Sequence, residues 1–573
     1  MTSVTRRWLF LAACCLTALA YSNSFSVPFI FDDRDTIIAN YALRSLWPGL
    51  GLFGTSPDMT SYGRPLIEFS LAINYAISGL EPWSYHVVNL FAHLACGIFV
   101  WRLVAELLIA GRLSAERAEN LALVTVSLWL VHPIQTAAVT YTVQRAEIFV
   151  SLCYAATMLF ALRSARLPKR HGGTGNAMLA CLFCALGMLC KESMATAPLA
   201  VVLLDVLLFR FRGDDLRRRL PVHAGLALSW ILLAVLMWRF PRGRSVGFYE
   251  NGPGAMDYLL MQGGVILHYI RLVLLPFGFC LDHDWPVPAG FIAALPAVLT
   301  VALMGGIALW FSLRGNVFGC AGVLIFLILA PTSSVIPVMT STAAEHRMYL
   351  PSAFLILLVV GACGAVLGSV RSSIKLATVM GFAAFLAALT FQRNTTFGSA
   401  PAIWSEVVER YPASRRAWNN LGTSLLLEER EDEALAAFLK ALALKPDFGP
   451  GLANISGILE RKGRMAEAER FAARAAEIIG ENPSVQIRHA RLLLSLGRSA
   501  EAAQALDRAL KLAPTQPVAN AMKARLCLAA GDILGAKEFA GRTLGVVPND
   551  AEALAILREC DAKEKGAPDG SLR

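Results

Sequence analysis

The chain has 573 residues, of which 56% are hydrophobic and 16% charged, with a net charge of +10. A soluble globular protein carries about 25% charged residues, so this composition, with a mean hydropathy of +0.53, excludes an ordinary soluble enzyme and indicates a polytopic membrane protein. The cations stand mostly in short loops between apolar runs, which fits orientation in a membrane and not a nucleic-acid partner, and nearly all of the twelve cysteines fall inside apolar runs, so no disulfide framework is indicated.

In chain order, Arg6 and Arg7 precede an apolar run ending in "ALAYS". The run fits a cleavable signal peptide as well as a first span; an uncleaved helix over about 8–25 is preferred. On either reading the residues that follow lie outside the cytoplasm. Further spans are expected at about 85–108, 118–135, 144–162, 176–191, 194–210, 222–240, 290–311, 317–337, 348–369 and 374–391. A twelfth apolar stretch, about 256–277, carries Asp257, His268 and Arg271, which are costly at a bilayer centre.

The positive-inside rule orders these spans. "RSARLPKRH" (163–171), "RFRGDDLRRR" (210–219), Arg314 and "RSSIK" (371–375) are expected in the cytoplasm with Arg6 and Arg7. Arg314 and "RSSIK" fit only if 256–277 does not cross, so that stretch is expected as an interfacial or re-entrant helix on the outer side. The expectation is about eleven spans, N-terminus inside and C-terminus outside. The basic outer stretch "RFPRGR" (239–244) opposes it.

Residues 393–573 read as a second, soluble domain after a membrane domain over 1–392. A period of about 34 residues marks tetratricopeptide repeats. Small residues recur in register: Gly422, Ser456, Ala490, Ala524; then Ala434, Ala468, Ala502, Ala536; then Ala441, Ala475, Ala509, Thr543. Two antiparallel helices approach closely only where side chains are small. Repeats are expected at 415–448, 449–482, 483–516 and 517–550, with a C-terminal helix near 550–562. Pro412, Pro446, Pro514 and Pro548 are expected to close repeats, with Pro483 doing so three residues late. The fold expected is all-α.

Polar groups gather where the outer ends of the spans converge. Asp32, Asp33 and Asp35 stand in "FIFDDRDTIIAN" (29–40), and Arg64 in "YGRPLIEF". His86, Asn89 and His93 share one helix face. His132 and "QRAE" (144–147), with Arg145 and Glu147, flank a short loop; "CKES" holds Lys191 and Glu192; "AEHRMYLPS" holds Glu345, His346, Arg347 and Tyr349. Each has a structural alternative. The histidines serve equally as interhelical hydrogen-bond partners, Pro65, Pro133 and Pro351 as helix starts, and Asp33 and Asp35 as caps of a helix beginning near Thr36. Together, acids in one outer loop and cations in others form an anion site beside a base. When a bond between a sugar and a lipid phosphate breaks, charge grows on phosphate oxygens, and fixed cations stabilise it. An acceptor hydroxyl needs only one carboxylate as base.

The segments "FIFDDRDTIIAN", "RPLIEFSLAINYAISGLEPWSYHVVNLFAHL", "HPIQTAAVTYTVQRAE", "KESMATAPLAVVLLD" and "EHRMYLPS", followed by the repeats, resemble the transmembrane-and-tetratricopeptide O-mannosyltransferases and their bacterial relatives. The resemblance implies the GT-C glycosyltransferase fold, a polyprenyl-phosphate sugar as donor (mannose in eukaryotic members), Ser/Thr hydroxyls of a protein as acceptor, and active-site loops on the non-cytoplasmic face. By that resemblance Asp32 is the base or acceptor-binding residue with Asp33 next, and Arg145 contacts the donor phosphate. Roles for Arg64, Lys191 and Arg347 on the phosphate, and for His86, Asn89, His132, Glu147, Glu192, Glu345 and Tyr349 in the substrate pocket, follow from position and charge. His346 departs from the family's "ERxxYLPS"-like pattern. No metal or other cofactor is expected, although three clustered acids are able to recruit a divalent cation. The expected partners are the lipid donor, membrane lipids and an acceptor protein held by the repeats. The expected location is a bacterial inner membrane with the repeats periplasmic, or an endoplasmic-reticulum membrane with them lumenal in a eukaryote. The competing reading is a non-catalytic membrane-anchored repeat scaffold for envelope assembly.

Overall fold

The computed structural model describes residues 2–46, 59–167, 172–241, 254–334, 337–338, 342–367 and 370–564. Residues 242–244 of the basic stretch 239–244 therefore lie outside the described residues, as do the last residues of "RSARLPKRH". Two compact units divide the chain, Met1–Ile403 and Trp404–Arg573. Among the described residues the secondary structure is helical, apart from one isolated antiparallel bridge between His283 and Ala343.

In the first unit the helices are α1 (Ser3–Ala20), α2 (Pro65–Ser78), α3 (Trp83–Ala110), α4 (Ala115–Leu130), the single turn α5 (Thr136–Val139), α6 (Arg145–Arg166) and α7 (Gly173–Met188). They continue with α8 (Ala197–Leu207), α9 (Asp214–Arg239), α10 (Ala255–Leu274), α11 (Phe291–Leu313), α12 (Val317–Leu329), α13 (Pro351–Val366) and α14 (Ser372–Thr396). Each of the eleven expected spans coincides with a helix. Among the described residues six are long and apolar enough to cross a membrane, and a seventh span arises if α4 is joined to the segment Pro133–Val139, bent away by 56°. Helices α7, α12 and α13 are shorter and apolar, and α8 continues from a 3-10 turn at Glu192–Thr196. Pro65, Pro133 and Pro351 all stand in the first turn of their helices, where a missing N–H costs nothing.

α3 and α6 form the inner pair, at least half buried, while little of α9, α11 or α14 is covered by protein. Trp238, Ile292 and Leu303 on those outer helices are exposed, as expected of surfaces that face lipid. The end of α1 is knitted to α14 by Asn394, whose amide donates to the Ala20 carbonyl (3.0 Å) and to Asn23 Oδ1 (3.1 Å). Thr140 donates to Asn394 Oδ1 at 2.6 Å, so the loops after α1 and after α5 are fixed to the same helix. α2 begins at Pro65, which the sequence analysis offers as a helix start.

α15 (Ala400–Arg410) runs across the boundary, and the second unit then pairs α16 (Arg415–Leu427) with α17 (Glu431–Leu444), α18 (Gly449–Arg461) with α19 (Met465–Ile478), α20 (Pro483–Ser495) with α21 (Ser499–Leu512) and α22 (Pro517–Ala529) with α23 (Ile533–Val546), ending in α24 (Ala551–Glu564). The alanines of the second helices, Ala434, Ala468, Ala502 and Ala536, are wholly buried. A Cβ built on Gly422 would lie 2.6 Å from the Phe438 ring, so this crossing has no room for a side chain. Gly422→Val is expected to destabilise the repeat unit by about 1–3 kcal/mol through overpacking, measured as a lowered midpoint for thermal loss of helical circular dichroism. Pro483 opens α20 in its first turn. It starts a helix and does not close the one before it, because Asn482 caps that turn by accepting from the Ser484 N–H at 2.9 Å.

Candidate active site

The site is built from loops at one end of the first unit's bundle. After α1 the chain turns at Phe31, whose φ of 42° is left-handed and costly for a bulky residue. The turn is held by its neighbour. Asp33 is buried, and its carboxylate accepts from the Val143 N–H (2.7 Å) and the Ile30 N–H (3.2 Å). Asp33 therefore ties the turn to the loop before α6 and does not face a substrate. Nor does it or Asp35 cap a helix: Arg34–Ile38 is a π-type turn with no side-chain cap bond at Asp33, because that carboxylate is already taken. Burial pushes the Asp33 carboxyl up to about 8 against those two bonds.

Asp32, by contrast, is partly exposed. Its backbone N–H donates to Tyr141 Oη (3.1 Å), and its Oδ2 accepts from Thr60 Oγ1 (3.4 Å). Burial raises its pKa to about 6, opposed by Tyr141 and Thr60 and reinforced by the charges of Asp35 and Asp282. Thr60 reaches the other way as well, its carbonyl accepting from Arg64 Nη1 at 2.9 Å. One residue thus joins the acid to the cations.

Arg64 Nη2 pairs with Glu192 Oε2 at 3.1 Å, while its Nε is buried with no hydrogen-bond partner among the described residues. Lys191 Nζ pairs with Glu147 Oε1 at 2.6 Å. His346 Nε2 lies 3.9 Å from the same Glu147 oxygen. Burial holds the His346 imidazole well below its ordinary pKa, and the fields of Lys191, Arg347 and Arg64 push it lower still. The three cations therefore sit around one neutral ring. Lys191 is pulled down to about 8, chiefly by burial and then by Arg64 and Arg347 against the pull of Glu147, and Arg64 down to about 10 by burial. Arg347 donates to the carbonyls of Thr342 (2.9 Å) and Thr332 (3.4 Å). A cavity opens beside them. Glu147, Ser151, Ser193, Thr332 and Arg347 give it a polar side, and Val150, Ile328, Leu350 and Pro351 an apolar one.

Several expected site residues are structural. Arg145 is fully buried; it donates to Asn74 Oδ1 (2.7 Å), the Tyr85 carbonyl (3.1 Å) and Ser70 Oγ (3.3 Å). Through Nη1 and Nη2 Arg145 braces α6 against α2 and α3, while its Nε has no hydrogen-bond partner among the described residues. The α3 stripe pins loop and helix-end backbone: His86 bonds the Val27 carbonyl (2.9 Å), Asn89 those of Val139 (3.1 Å) and Thr142 (3.3 Å), and His93 that of Leu130 (3.0 Å) and Tyr349 Oη (2.6 Å). That last bond also accounts for Tyr349. His132 Nδ1 accepts from the Ile134 N–H (3.2 Å), so its Nε2 is the donor to the Val273 carbonyl (3.1 Å). Glu345 accepts from His283 Nε2 at 2.9 Å and from the Cys280 N–H, anchoring the loop that carries Asp282. The residues that converge are Asp32, Arg64, Glu147, Lys191, Glu192 and Arg347. The sequence reading gave Thr60, Tyr141 and Asp282 no place among them. Among the described residues no three His, Cys, Asp or Glu side chains are grouped to hold a metal ion.

Comparison with known proteins bears on this arrangement. Residues 61–238 match the family described as dolichyl-phosphate-mannose-protein mannosyltransferase, and residues 385–447 and 493–560 match tetratricopeptide repeats. Arg64, Glu147, Lys191 and Glu192 fall within the first match. Protein O-mannosyl-transferase Tmtc3 of Drosophila melanogaster is 26% identical over 84% of this chain and 60% of its own length. Human protein O-mannosyl-transferase TMTC3 is 26% identical over 78% and 53%, and Drosophila Tmtc2 34% identical over 34% and 21%. The chain spans 60% or less of the length of these relatives. It is a membrane protein with a region that matches a mannosyltransferase family followed by tetratricopeptide repeats, and relatives similar over most of its length are named protein O-mannosyl-transferases.

Proposed function

We propose that the chain transfers a sugar, mannose by the names of its relatives, from a polyprenyl-phosphate donor to a Ser or Thr hydroxyl of an acceptor protein on the non-cytoplasmic face of its membrane. The observation that carries the reading is the Thr60 bridge, which links a partly exposed carboxylate to Arg64.

In this reading the donor phosphate lies among Arg64, Lys191 and Arg347, with its lipid along the apolar wall of Val150, Ile328 and Leu350. The acceptor oxygen attacks the anomeric carbon, and Asp32 takes the hydroxyl proton. The bond from that carbon to the phosphate oxygen breaks, and the polyprenyl phosphate leaves with its electron pair. The cations gain most as that charge develops, which is where they lower the barrier. Glu147 and Glu192 keep the buried cations paired until the phosphate arrives. The proposal assigns no metal ion. Membranes holding the chain, given labelled polyprenyl-phosphate mannose, are expected to add hexose to Ser/Thr-bearing protein, read by intact mass. Absence of transfer, or transfer only from a nucleotide sugar, contradicts the reading.

The acid–base groups set the pH profile. Asp32 acts as the carboxylate, so kcat/KM should rise as pH rises through about 6. Lys191 acts as the ammonium, so the rate should fall as pH rises through about 8. A bell with those limbs is expected for the parent, and Asp32→Glu should shift the acid limb alone.

A further inference from the structure

The end of the first unit opposite the candidate active site carries a second cluster of cations. α3 starts among the loops of that site and runs 28 residues, about 42 Å. At its far end three short connections meet: 111–114 after α3, 208–213 after α8 and 314–316 between α11 and α12. A Cβ on Gly111 would lie 2.5 Å from Val317 Cβ, so the first is packed directly against the start of α12. Arg210 of the second reaches the end of α11, its Nη2 donating to the Leu313 carbonyl at 3.5 Å.

Other cations at this end are answered by acids: Arg102 by Glu119 at 3.1 Å, Arg163 by Glu106 at 3.2 Å and Arg219 by Asp205 at 2.8 Å. Arg112, Arg210 and Arg314 are exposed, and among the described residues none of them is paired with a carboxylate. Two of them stand in left-handed backbone, Arg112 at φ 68° and Arg210 at φ 57°. Glycine adopts that conformation freely and a long side chain does not, so both positions hold an arginine against the local preference. Nor do Arg210 and Arg314 simply extend into water. The Arg210 guanidinium lies over Gly315, whose Cβ would come within 3.1 Å of Nη2, and that of Arg314 sits 3.8 Å over the Trp310 ring. Beside them opens a cleft of about 400 Å³ lined by Gly111, Leu113, Phe311, Arg314, Asn316 and Phe318. Asn316 Oδ1 accepts from the Phe318 N–H (2.9 Å) and the Gly319 N–H (3.3 Å), which leaves its Nδ2 to donate. Phe311 and Leu313 are exposed on α11.

We propose that this cleft binds the phosphate of an anionic glycerophospholipid, with Arg210 and Arg314 on the phosphodiester oxygens, Asn316 donating to the headgroup and the acyl chains along the exposed face of α11. A guanidinium fork matches phosphate oxygens, and basic pockets between spanning helices are suited to anionic headgroups. Indole rings favour the headgroup boundary, where Trp310 would then stand. The apolar wall of Phe311 and Leu313 favours a lipid over a free phosphate, which has no use for one. The inference stands whether or not the transfer chemistry is as proposed, because the cleft lies at the other end of α3.

The test uses the full chain in detergent micelles, titrated with dioleoylphosphatidylglycerol and, separately, with dioleoylphosphatidylcholine, bound lipid being counted by native mass spectrometry. One phosphatidylglycerol per chain should bind about tenfold more tightly than phosphatidylcholine. Arg210→Gln combined with Arg314→Gln should abolish that preference at an unchanged thermal midpoint, since neither side chain answers an acid. Arg371→Gln, at the cation before α14, should leave the preference intact, and millimolar inorganic phosphate should not displace the lipid. Equal affinity for the two lipids, or a preference that survives the double substitution, overturns the proposal. So does a preference that falls equally with Arg371→Gln, which would make it an effect of net charge. Displacement by inorganic phosphate also overturns it, and would make the cleft a site for a free anion.

Discussion

Asp32→Asn is expected to lower transfer by about 10²–10⁴-fold, the range for loss of a positioned general base, with the helical spectrum and thermal midpoint unchanged. The reason is how little structure depends on this carboxylate. Its side chain is engaged by the hydroxyls of Thr60, through a long bond, and of Tyr141, and an amide oxygen accepts from both equally well. The neighbouring acid should behave in the opposite way. Asp33→Asn disturbs a buried group that accepts from two backbone N–H groups, so it should lower the thermal midpoint as well as the rate. Wild-type transfer by Asp32→Asn would remove Asp32 as the base.

Lys191→Met should cost about 10²–10³-fold in kcat, as loss of one fixed transition-state partner does elsewhere. It should also destabilise, because Glu147 is left as a buried carboxylate without its 2.6 Å partner. Breaking such a pair costs about 3–5 kcal/mol. The two effects can be parted. Glu147→Gln combined with Lys191→Met removes both charges and should recover most of the lost thermal midpoint while the rate stays low. A rate that returns along with the midpoint would make Lys191 a structural cation only.

The chain's organisation was open to reading from sequence wherever a period governs packing. The alanines at Ala434, Ala468, Ala502 and Ala536 announce the repeats because close helix crossings tolerate nothing larger. The apolar runs announce the bundle because lipid leaves few alternatives. Asp32, Lys191 and Arg347 stood out as charges in a chain that holds few. Partnership was the part that stayed hidden. Arg145 looks like a phosphate ligand until α2 is seen to present Ser70 and Asn74 to it, and nothing in the sequence pairs α2 with α6. His86, Asn89 and His93 do share a helix face, but what they meet is a loop carbonyl at Val27 and the carbonyls that end α5 and α4 at Val139 and Leu130, which no helical spacing encodes. Thr60 and Asp282 are ordinary loop residues until distant loops bring them to the acid.

The common pocket of acid and cations is tested most directly by labelling from one side of the membrane. Thr60→Cys and Ser193→Cys place thiols beside Asp32 and beside Lys191, each half-buried in the parent, and are read against the labelling of the parent's own cysteines. A membrane-impermeant maleimide should modify both from the non-cytoplasmic face, and polyprenyl-phosphate mannose should protect both. Modification from opposite faces, or donor protection of neither thiol, would contradict the shared pocket and leave the carboxylate and the cations as separate features.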